Sequence, residues 1–390
     1  MSYKIKIAIL GSTGSIGLST IETISENLNL FQIEILSCNK NFLRISKQIK
    51  NLNPKNVIIS DYKTYLKIKK KFSKKKINFF NNFKDIKLKK KIDITVCAIS
   101  GILGLQSTFL FLKFSKKLLI ANKESIVCGG QFLLKQAKKN FCKIISIDSE
   151  LYCLDLLLKK YSKTKINKVY ITASGGPFLN KKNLKNVSVK DALKHPTWKM
   201  GKKISIDSAT LVNKIFEMIE VKTLYNIPFE SIKIKIHPQS KIHALCILDN
   251  GIVDFIAHNT DMKIPIRNTI FNKIKKNSYI KNFIESSGKI NLELYECIPS
   301  KFPILRLGYT ILKLGDIAHI AFNVFNDFFV EQFLVKKISF IDISKNIITL
   351  FDDKELLRYC KTNKIKNFND IFKVISYSKQ LCSNLMLKKF

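Results

Sequence analysis

Arginine is almost absent from a chain that is otherwise strongly basic. The 390 residues include 68 Lys or Arg against 29 Asp or Glu, a formal net charge of +39, yet the only arginines are Arg44, Arg267, Arg306 and Arg358. Base readout and stacking on nucleic acid depend on planar guanidinium groups with interleaved aromatics. Lysine spread along the whole length gives non-specific attraction to polyanions at low salt, not a dedicated nucleic-acid partner. Its densest run, Lys67 to Lys76, reads as a solvated helix or loop. The joint abundance of Lys, Ile, Asn and Phe points to a bias of the coding sequence. The nine cysteines are an odd number without a CxxC pair, which argues against a disulfide framework or a zinc site. No uninterrupted apolar run is long enough to span a membrane, so no membrane partner is expected. Neither an apolar signal region nor an Arg/Ser-rich presequence comes before the strand-like stretch ending at Leu10, and the cytoplasm is the expected compartment.

What is present points to an α/β protein. The length supports two or three domains, and a hydrophobic fraction of 46% fits a globular core. Residues 1–147 alternate apolar runs at Lys4–Leu10, Ile33–Ser37, Val57–Ile59, Ile94–Ala98, Lys117–Ile120 and Cys142–Ile147 with amphipathic helices. That alternation predicts a parallel sheet covered by helices. A middle region, 148–271, carries strand-like Lys168–Thr172, Ile232–His237 and Ile252–Ala257. Residues 272–297 read as a linker, and 298–390 show helical periodicity at Ile304–Leu314, Ile317–Phe333, Ser344–Phe351 and Asn369–Asn384.

Three clusters carry chemistry. Gly11, Gly14 and Gly17 lie between a strand and a helix, where glycine lets a phosphate approach backbone N–H groups. Their GxxGxxG spacing departs from the commoner GxGxxG, so spacing alone leaves a plain structural turn open. The next strand ends at Ser37-Cys38-Asn39-Lys40-Asn41, without the acid that NAD-specific proteins place there. Lys40 and Asn41 suit an extra 2′-phosphate, which favours NADP. Asp148 and Glu150 flank Ser149 after an apolar run; on a strand, positions i and i+2 face the same side. With Glu217 they make an all-oxygen set suited to magnesium or manganese, while an ordinary acidic helix start is the competing reading. The third cluster runs from His195 to Glu220 and contains the single tryptophan, Trp198. Its second half reads as a helix with Ser208 as N-cap and with Asn213, Glu217 and Glu220 on one face, Lys214 alongside. Such a stripe can hold a phosphate near the helix start and a metal one turn on, or it can be a solvated face with ion pairs.

Six blocks taken together decide between these readings: GSTGSIG from Gly11, ANKES from Ala121, DSE from Asp148, SGGPF from Ser174, the His195–Glu220 segment and HPQSKIH from His237. In this order they resemble the 1-deoxy-D-xylulose-5-phosphate reductoisomerase family, and they span residues 11–243. The resemblance implies an N-terminal Rossmann-type NADPH-binding domain, a central α/β catalytic domain and a C-terminal α-helical bundle, assembled as a homodimer. It implies rearrangement and NADPH-dependent reduction of 1-deoxy-D-xylulose 5-phosphate to 2-C-methyl-D-erythritol 4-phosphate, in the non-mevalonate isoprenoid precursor pathway. A dehydrogenase of other specificity sharing the fold, or a divergent reductoisomerase of low activity, are the alternatives.

Roles follow from the matching positions. The resemblance implies Asp148, Glu150 and Glu217 as ligands of Mg2+ or Mn2+, with Co2+ also admissible, and Lys123 as a catalytic contact to a substrate hydroxyl. It assigns Ser149, Ser174, His195, Ser208, Asn213 and Lys214 to the substrate, mostly to its phosphate, together with Glu150 and Glu217. It assigns Thr13, Gly14, Ser15, Ile16, Asn39, Lys40, Asn41, Asn122, Glu124 and Gly201 to the cofactor. Trp198 and Met200 would form a lid, and His243 is a further candidate, whereas His237 is expected to fix a turn and His258 and His319 to be structural or exposed. The chain departs from the family pattern at Leu151, where a histidine is usual, at Ile215, where glycine is usual, and at Asn323–Asp327, in place of Asn-Ala-Ala-Asn-Glu. Leu151 is expected to lower turnover or alter affinity, the other two to affect packing.

Overall fold

The computed structural model describes residues 4–161, 165–181, 183–271, 283–285, 290–298 and 301–388. From the N-terminus it runs β1 (Ile5–Leu10), α1 (Ser15–Ser25), β2 (Phe31–Cys38), α2 (Phe42–Leu52), β3 (Asn56–Ile59), α3 (Tyr62–Lys71) and β4 (Asn78–Phe80). It continues through β5 (Ile92–Cys97), α4 (Ile102–Leu112), β6 (Ser115–Ile120), α5 (Lys123–Lys139) and β7 (Lys143–Ser146). The middle holds α6 (Ser149–Lys160), β8 (Ile166–Ala173), α7 (Val189–Ala192), α8 (Lys202–Thr210) and α9 (Val212–Tyr225). Next come β9 (Ile232–Ile236), β10 (Ile242–Leu248), β11 (Val253–Ala257), α10 (Lys263–Phe271) and β12 (Tyr295–Glu296). The tail is helical: α11 (Ile304–Leu314), α12 (Asp316–Leu334), α13 (Phe340–Phe351), α14 (Lys354–Thr362) and α15 (Phe368–Leu387).

Two compact units result. The first comprises residues 1–125, 133–148 and 262–279, and the second residues 126–132, 149–261 and 280–390. In the first, seven parallel strands lie in the order β4-β3-β2-β1-β5-β6-β7. Ile7 to Leu10 are wholly buried, as expected of a strand covered on both faces. The order reverses between β1 and β5, and in open α/β sheets ligands bind beyond the carboxyl ends of the strands at that reversal. The chain emerging from β1 there is the glycine loop.

Helix α10 corrects the sequence reading, which gave residues 263–271 to the middle region. Its Ile266, Ile270 and Phe271 join the core of the first unit, with Phe271 edge-on to Phe31 at 5.5 Å. Arg267 pairs with Glu26 of that unit at 2.6 Å. An apolar helical face needs cover, and the spacing of a sequence does not say which sheet supplies it. Most of the expected linker, 272–297, lies outside the described residues, and within it Tyr295 and Glu296 pair antiparallel with β9.

The second unit is built on a mixed sheet, β11-β10-β8-β9-β12, in which β8 and β9 are parallel and the other pairs antiparallel. Helix α6 packs on β10 and β11, and the helical tail belongs to the same unit, with α11 against α9 and α12 against α8. Helix α12 is its buried axis, flanked by α11, α13 and α15. Helix α11 approaches α9 closely because Gly308 has no side chain: a Cβ there would sit 3.1 Å from Cγ1 of Ile215. The isoleucine that departs from the family pattern therefore has its space provided by a glycine on the facing helix.

One helix expected from the sequence is two. Leu211 adopts φ 65°, ψ 11°, ending α8 and starting α9. Ser208 consequently lies in the last turn of α8 and is not an N-cap. A left-handed leucine costs of order 1–3 kcal/mol and persists where surrounding structure demands it, commonly beside a functional site.

Candidate active site

In the first unit the glycines of the loop have separate reasons. Gly11 has φ 85°, and a Cβ on it would meet the Ala98 carbonyl at 2.6 Å. A Cβ on Gly17 would lie 2.3 Å from the Gly11 carbonyl, so this glycine lets α1 pack on the turn. Gly14 needs neither freedom: as N-cap of α1 it is extended at φ −80°, with only ordinary contact around a Cβ. Gly14 and Ser15 are exposed, with Thr13 and Ile16 half-buried, at a helix start with no acidic residue in its first turn. Unpaired N–H groups and the positive end of the dipole make this an anion seat.

Beside it, Asn39, Lys40 and Asn41 are all exposed. Asn41 caps α2, its side-chain oxygen accepting from the Arg44 backbone N–H at 3.1 Å. Arg44, which the sequence reading passed over, reaches from α2 to the glycine loop and donates to the Thr13 carbonyl at 3.0 Å. The signal for it was its rarity, one of four arginines set one helical turn past Lys40.

Asn122 caps α5: its oxygen accepts from Ser125 N–H at 2.6 Å while its amide donates to the carbonyls of Ile99 and Gly101. Gly104 makes room for that amide, since a Cβ would meet it at 2.1 Å. Lys123 and Glu124 are buried in the first turn of the same helix, and the Lys123 ammonium pairs with Asp148.

Asp148 precedes α6 directly, and Ser149 and Glu150 form its first turn. The DSE triplet is thus at a helix start, not on a strand; β7 ends at Ser146. The carboxylates converge all the same. Asp148, Glu150 and Glu217 each offer an oxygen within 4.8 Å of the others. Glu217 is completely buried and accepts from the Asn213 amide at 2.6 Å. The Lys214 ammonium lies between two of them, 2.9 Å from Glu150 and 2.6 Å from Glu217. Ser149 donates to Glu150 at 2.5 Å. Glu150 and Glu217 with Lys214 sum to one negative charge in a buried place, a setting that favours a cation, and an all-oxygen donor set suits a hard one.

The second unit also assembles a hydroxyl pocket. Gly175 and Gly176 have φ 84° and 68°, and a Cβ on Gly176 would meet Cα of Ala209 at 2.8 Å, so the Ser174-Gly-Gly turn docks against α8. This brings Ser174 and Ser208 to one nitrogen of His195, at 2.9 and 3.1 Å. The other nitrogen, Nδ1, accepts from the backbone N–H of Thr197 and Trp198 at 3.2 and 2.9 Å. The proton of the neutral ring therefore sits on Nε2 and points at the serine hydroxyls, which leaves hydroxyl hydrogens for an acceptor such as a phosphate oxygen. Burial, with the Lys214 charge nearby, pushes His195 down to about 4, against a smaller opposing effect of Glu150. Gly201 starts α8 exposed, and a Cβ on it would meet none of the described residues within 4 Å, so packing among them does not demand glycine there.

His243 and Trp198 complete the surroundings. The Trp198 ring lies edge-on to His243 at 6.0 Å, and His243 Nδ1 is 3.8 Å from Glu150. His237 accounts for a turn, bonding the Glu293 carbonyl at 2.7 Å, and His319 is buried in α12. His258 is neither exposed nor remote: its ring stacks on that of His243.

A doubly wound nucleotide-binding sheet joined to an acidic chelating cluster defines a nicotinamide-dependent, metal-dependent oxidoreductase. The family model of 1-deoxy-D-xylulose 5-phosphate reductoisomerase matches residues 7–130, and its two C-terminal domain models match 144–225 and 258–381. The 1-deoxy-D-xylulose 5-phosphate reductoisomerase of Pelagibacter ubique is 41% identical over 379 residues, 95% of this chain and 97% of its own length. A crystal structure of DOX-P reductoisomerase in complex with NADPH, fosmidomycin and magnesium aligns with a TM-score of 0.89 at 30% identity, covering 97% of this chain and 98% of that one. The Zymomonas mobilis enzyme in complex with NADPH gives 0.87 at 27%, covering 98% and 99%. This chain belongs to the 1-deoxy-D-xylulose 5-phosphate reductoisomerase family.

The histidines set an acid limit. Burial lowers His195 and His258 to about 4 and His237 below its usual value. Unfolded, each takes a proton near pH 6.5, so the unfolded state binds more protons below that pH and folding stability falls as pH drops from about 6.5 toward 4. Thermal melts across this window should show Tm falling, and His195→Gln should flatten the slope. A Tm constant down to pH 4 would contradict the assignment of buried neutral rings.

Proposed function

We propose that this chain converts 1-deoxy-D-xylulose 5-phosphate to 2-C-methyl-D-erythritol 4-phosphate, using NADPH and a divalent metal, in isoprenoid precursor synthesis. The observation that carries the reading is Lys214. It bridges two carboxylates of the acidic cluster and lies close enough to the His195 pocket to depress that ring's basicity. One end of a short phosphosugar can thus meet hydroxyls and an ammonium while the other meets the carboxylate cluster.

Asp148, Glu150 and Glu217 would hold the cation, Mg2+ or Mn2+ and also Co2+, and their clustering fits it. A cation bound there supplies Lewis-acid stabilisation of negative charge on the substrate's carbonyl and adjacent hydroxyl oxygens. The bound NADPH would supply the hydride for the reduction. The chain's own groups do the rest. Ser174, Ser208, Asn213 and Lys214 grip the phosphate, and His195 turns the two serine hydroxyls toward it. Ser149 and the buried Lys123 ammonium meet substrate hydroxyls, where a fixed positive charge in a dry site opposes little solvent. Trp198 and Met200 cover the reacting carbons and exclude water. Thr13, Gly14, Ser15 and Ile16 take the cofactor pyrophosphate, and Asn39, Lys40 and Asn41 the 2′-phosphate end, with Arg44 added to them. Asn122, Glu124 and Gly201 border the nicotinamide.

The functional division we assign is cofactor binding in 1–147 with α10 joined to it, catalysis in 148–261 and a helical region in 298–390 after the 272–297 linker. We also assign a homodimer. The edge strand β11 exposes Val253 and Phe255 next to an exposed Ile252, an apolar edge that a second copy would cover. We place the protein in the cytoplasm, where its nine free cysteines would stay reduced.

Purified protein given the pentulose phosphate, NADPH and Mg2+ should form the methylerythritol phosphate. Glu217→Gln should cut turnover by about a hundredfold or more while NADPH affinity stays unchanged. Consumption of NADPH only with other carbonyl substrates would identify a dehydrogenase of different specificity. Cofactor choice gives an independent test. Lys40→Glu should flatten or reverse the preference for NADPH, and Arg44→Ala should weaken NADPH about tenfold without changing NADH. Equal affinity of the unmodified protein for both cofactors would contradict the reading.

A further inference from the structure

Four aromatic rings form a ladder beside Glu150. Trp198 stands edge-on to His243 at 6.0 Å, His243 stacks on His258 at 3.9 Å with 25° between the planes, and Tyr152 tilts against His258 at 6.4 Å. His243 belongs to β10 and His258 follows β11, the neighbouring strand. The two are also tied through the backbone: His258 N–H donates to the Lys241 carbonyl at 2.9 Å, and His243 Nε2 donates to the His258 carbonyl at 3.3 Å. That bond aims His243 Nδ1 at Glu150, 3.8 Å away.

We propose that His258 is a positioning residue for the reaction: stacked on His243, it fixes the imidazole that faces Glu150 and, through the same ring, the indole of Trp198. His258 donates from Nδ1 to the Asn259 carbonyl at 2.6 Å, and among the described residues its buried Nε2 has no partner. A ring placed there for hydrogen bonding alone would not leave a nitrogen unsatisfied; its face is what it uses. Burial keeps it uncharged, with a value near 4, so it can lie flat on a second imidazole without repulsion. Leu151, next to Glu150, is fully buried and offers no polar group, so the imidazole near this carboxylate comes from the sheet. Partners behind a metal ligand commonly alter metal affinity by about ten- to a hundredfold when removed.

The inference rests on Glu150 as metal ligand and Trp198 as lid, and the experiment separates the two failures. Because Trp198 is the single tryptophan, its emission reports the ladder without any substrate present. Mg2+ titrations of the holoenzyme, read by turnover and separately by Trp198 emission in substrate-free protein, are compared for the unmodified chain, His258→Ala and His258→Phe. His258→Ala should raise the half-saturating Mg2+ about tenfold and shift Trp198 emission, with KM for NADPH unchanged. His258→Phe keeps a ring in the stack and should restore both to within about twofold. Should the alanine variant not fold, His258→Asn, polar but without a ring, takes its place with the same expectation. Unchanged metal dependence and emission on losing the ring, or equal impairment in the phenylalanine variant, overturns the proposal while the enzyme assignment stands. Absence of metal-dependent turnover in the unmodified protein overturns both.

Discussion

The interaction on which the rest of this site depends is the Lys214 ammonium held between Glu150 and Glu217. Glu217 is wholly enclosed, and an isolated carboxylate there would be untenable without a partner. Lys214 at 2.6 Å and the Asn213 amide at 2.6 Å make it tolerable, and the second contact of the lysine, to Glu150, ties the start of α9 to the start of α6. Removing one member of such a pair typically costs about 3–5 kcal/mol, because the other charge stays buried. The left-handed Leu211 belongs to the same arrangement, since it starts α9 where Asn213, Lys214 and Glu217 share one turn. In the proposed reaction Asp148, Glu150 and Glu217 would hold the cation, and Lys214 would serve the substrate phosphate.

The three departures from the family pattern are absorbed in different ways. Ile215 fills the space that Gly308 leaves open. Asn326 and Asp327 hold α8 in place: Asn326 donates to Asp207 at 2.7 Å, and Lys203 pairs with Asp207 at 2.9 Å and Asp327 at 3.1 Å. Ser208, the next residue, inherits its position from that network. Leu151 is buried in the core of its unit, and its carbonyl accepts from Tyr225 at 3.2 Å. An imidazole introduced there would enter an apolar setting at a desolvation cost.

Much of the fold was legible because period and punctuation agreed. Ile33–Ser37 and Val57–Ile59 announced buried parallel strands, and Gly11–Gly17 marked the turn at the sheet's switch point. Strand β10 was missed because Ile242–Leu248 is buried on nearly every position and shows no alternation. Asp148 and Glu150 were correctly grouped by residue type but placed on a strand. Asp148 stands just before α6 and Glu150 in its first turn, so their convergence depends on how the chain enters the helix, which the sequence does not distinguish from a strand. The break at Leu211 had no glycine or asparagine to signal it. Arg44 and His258 were invisible as partners because their contacts, to Thr13 and His243, depend on how separate strands and helices are laid side by side.

The central claim is that the lysine-bridged carboxylates are the metal site. Crystals of the protein soaked with Mn2+ and measured at the manganese absorption edge test it without reference to turnover. The account predicts one anomalous peak among the carboxylate oxygens of Asp148, Glu150 and Glu217, with the Lys214 ammonium displaced from at least one of them. An empty cluster at saturating Mn2+, with Lys214 still bridging Glu150 and Glu217, would contradict it.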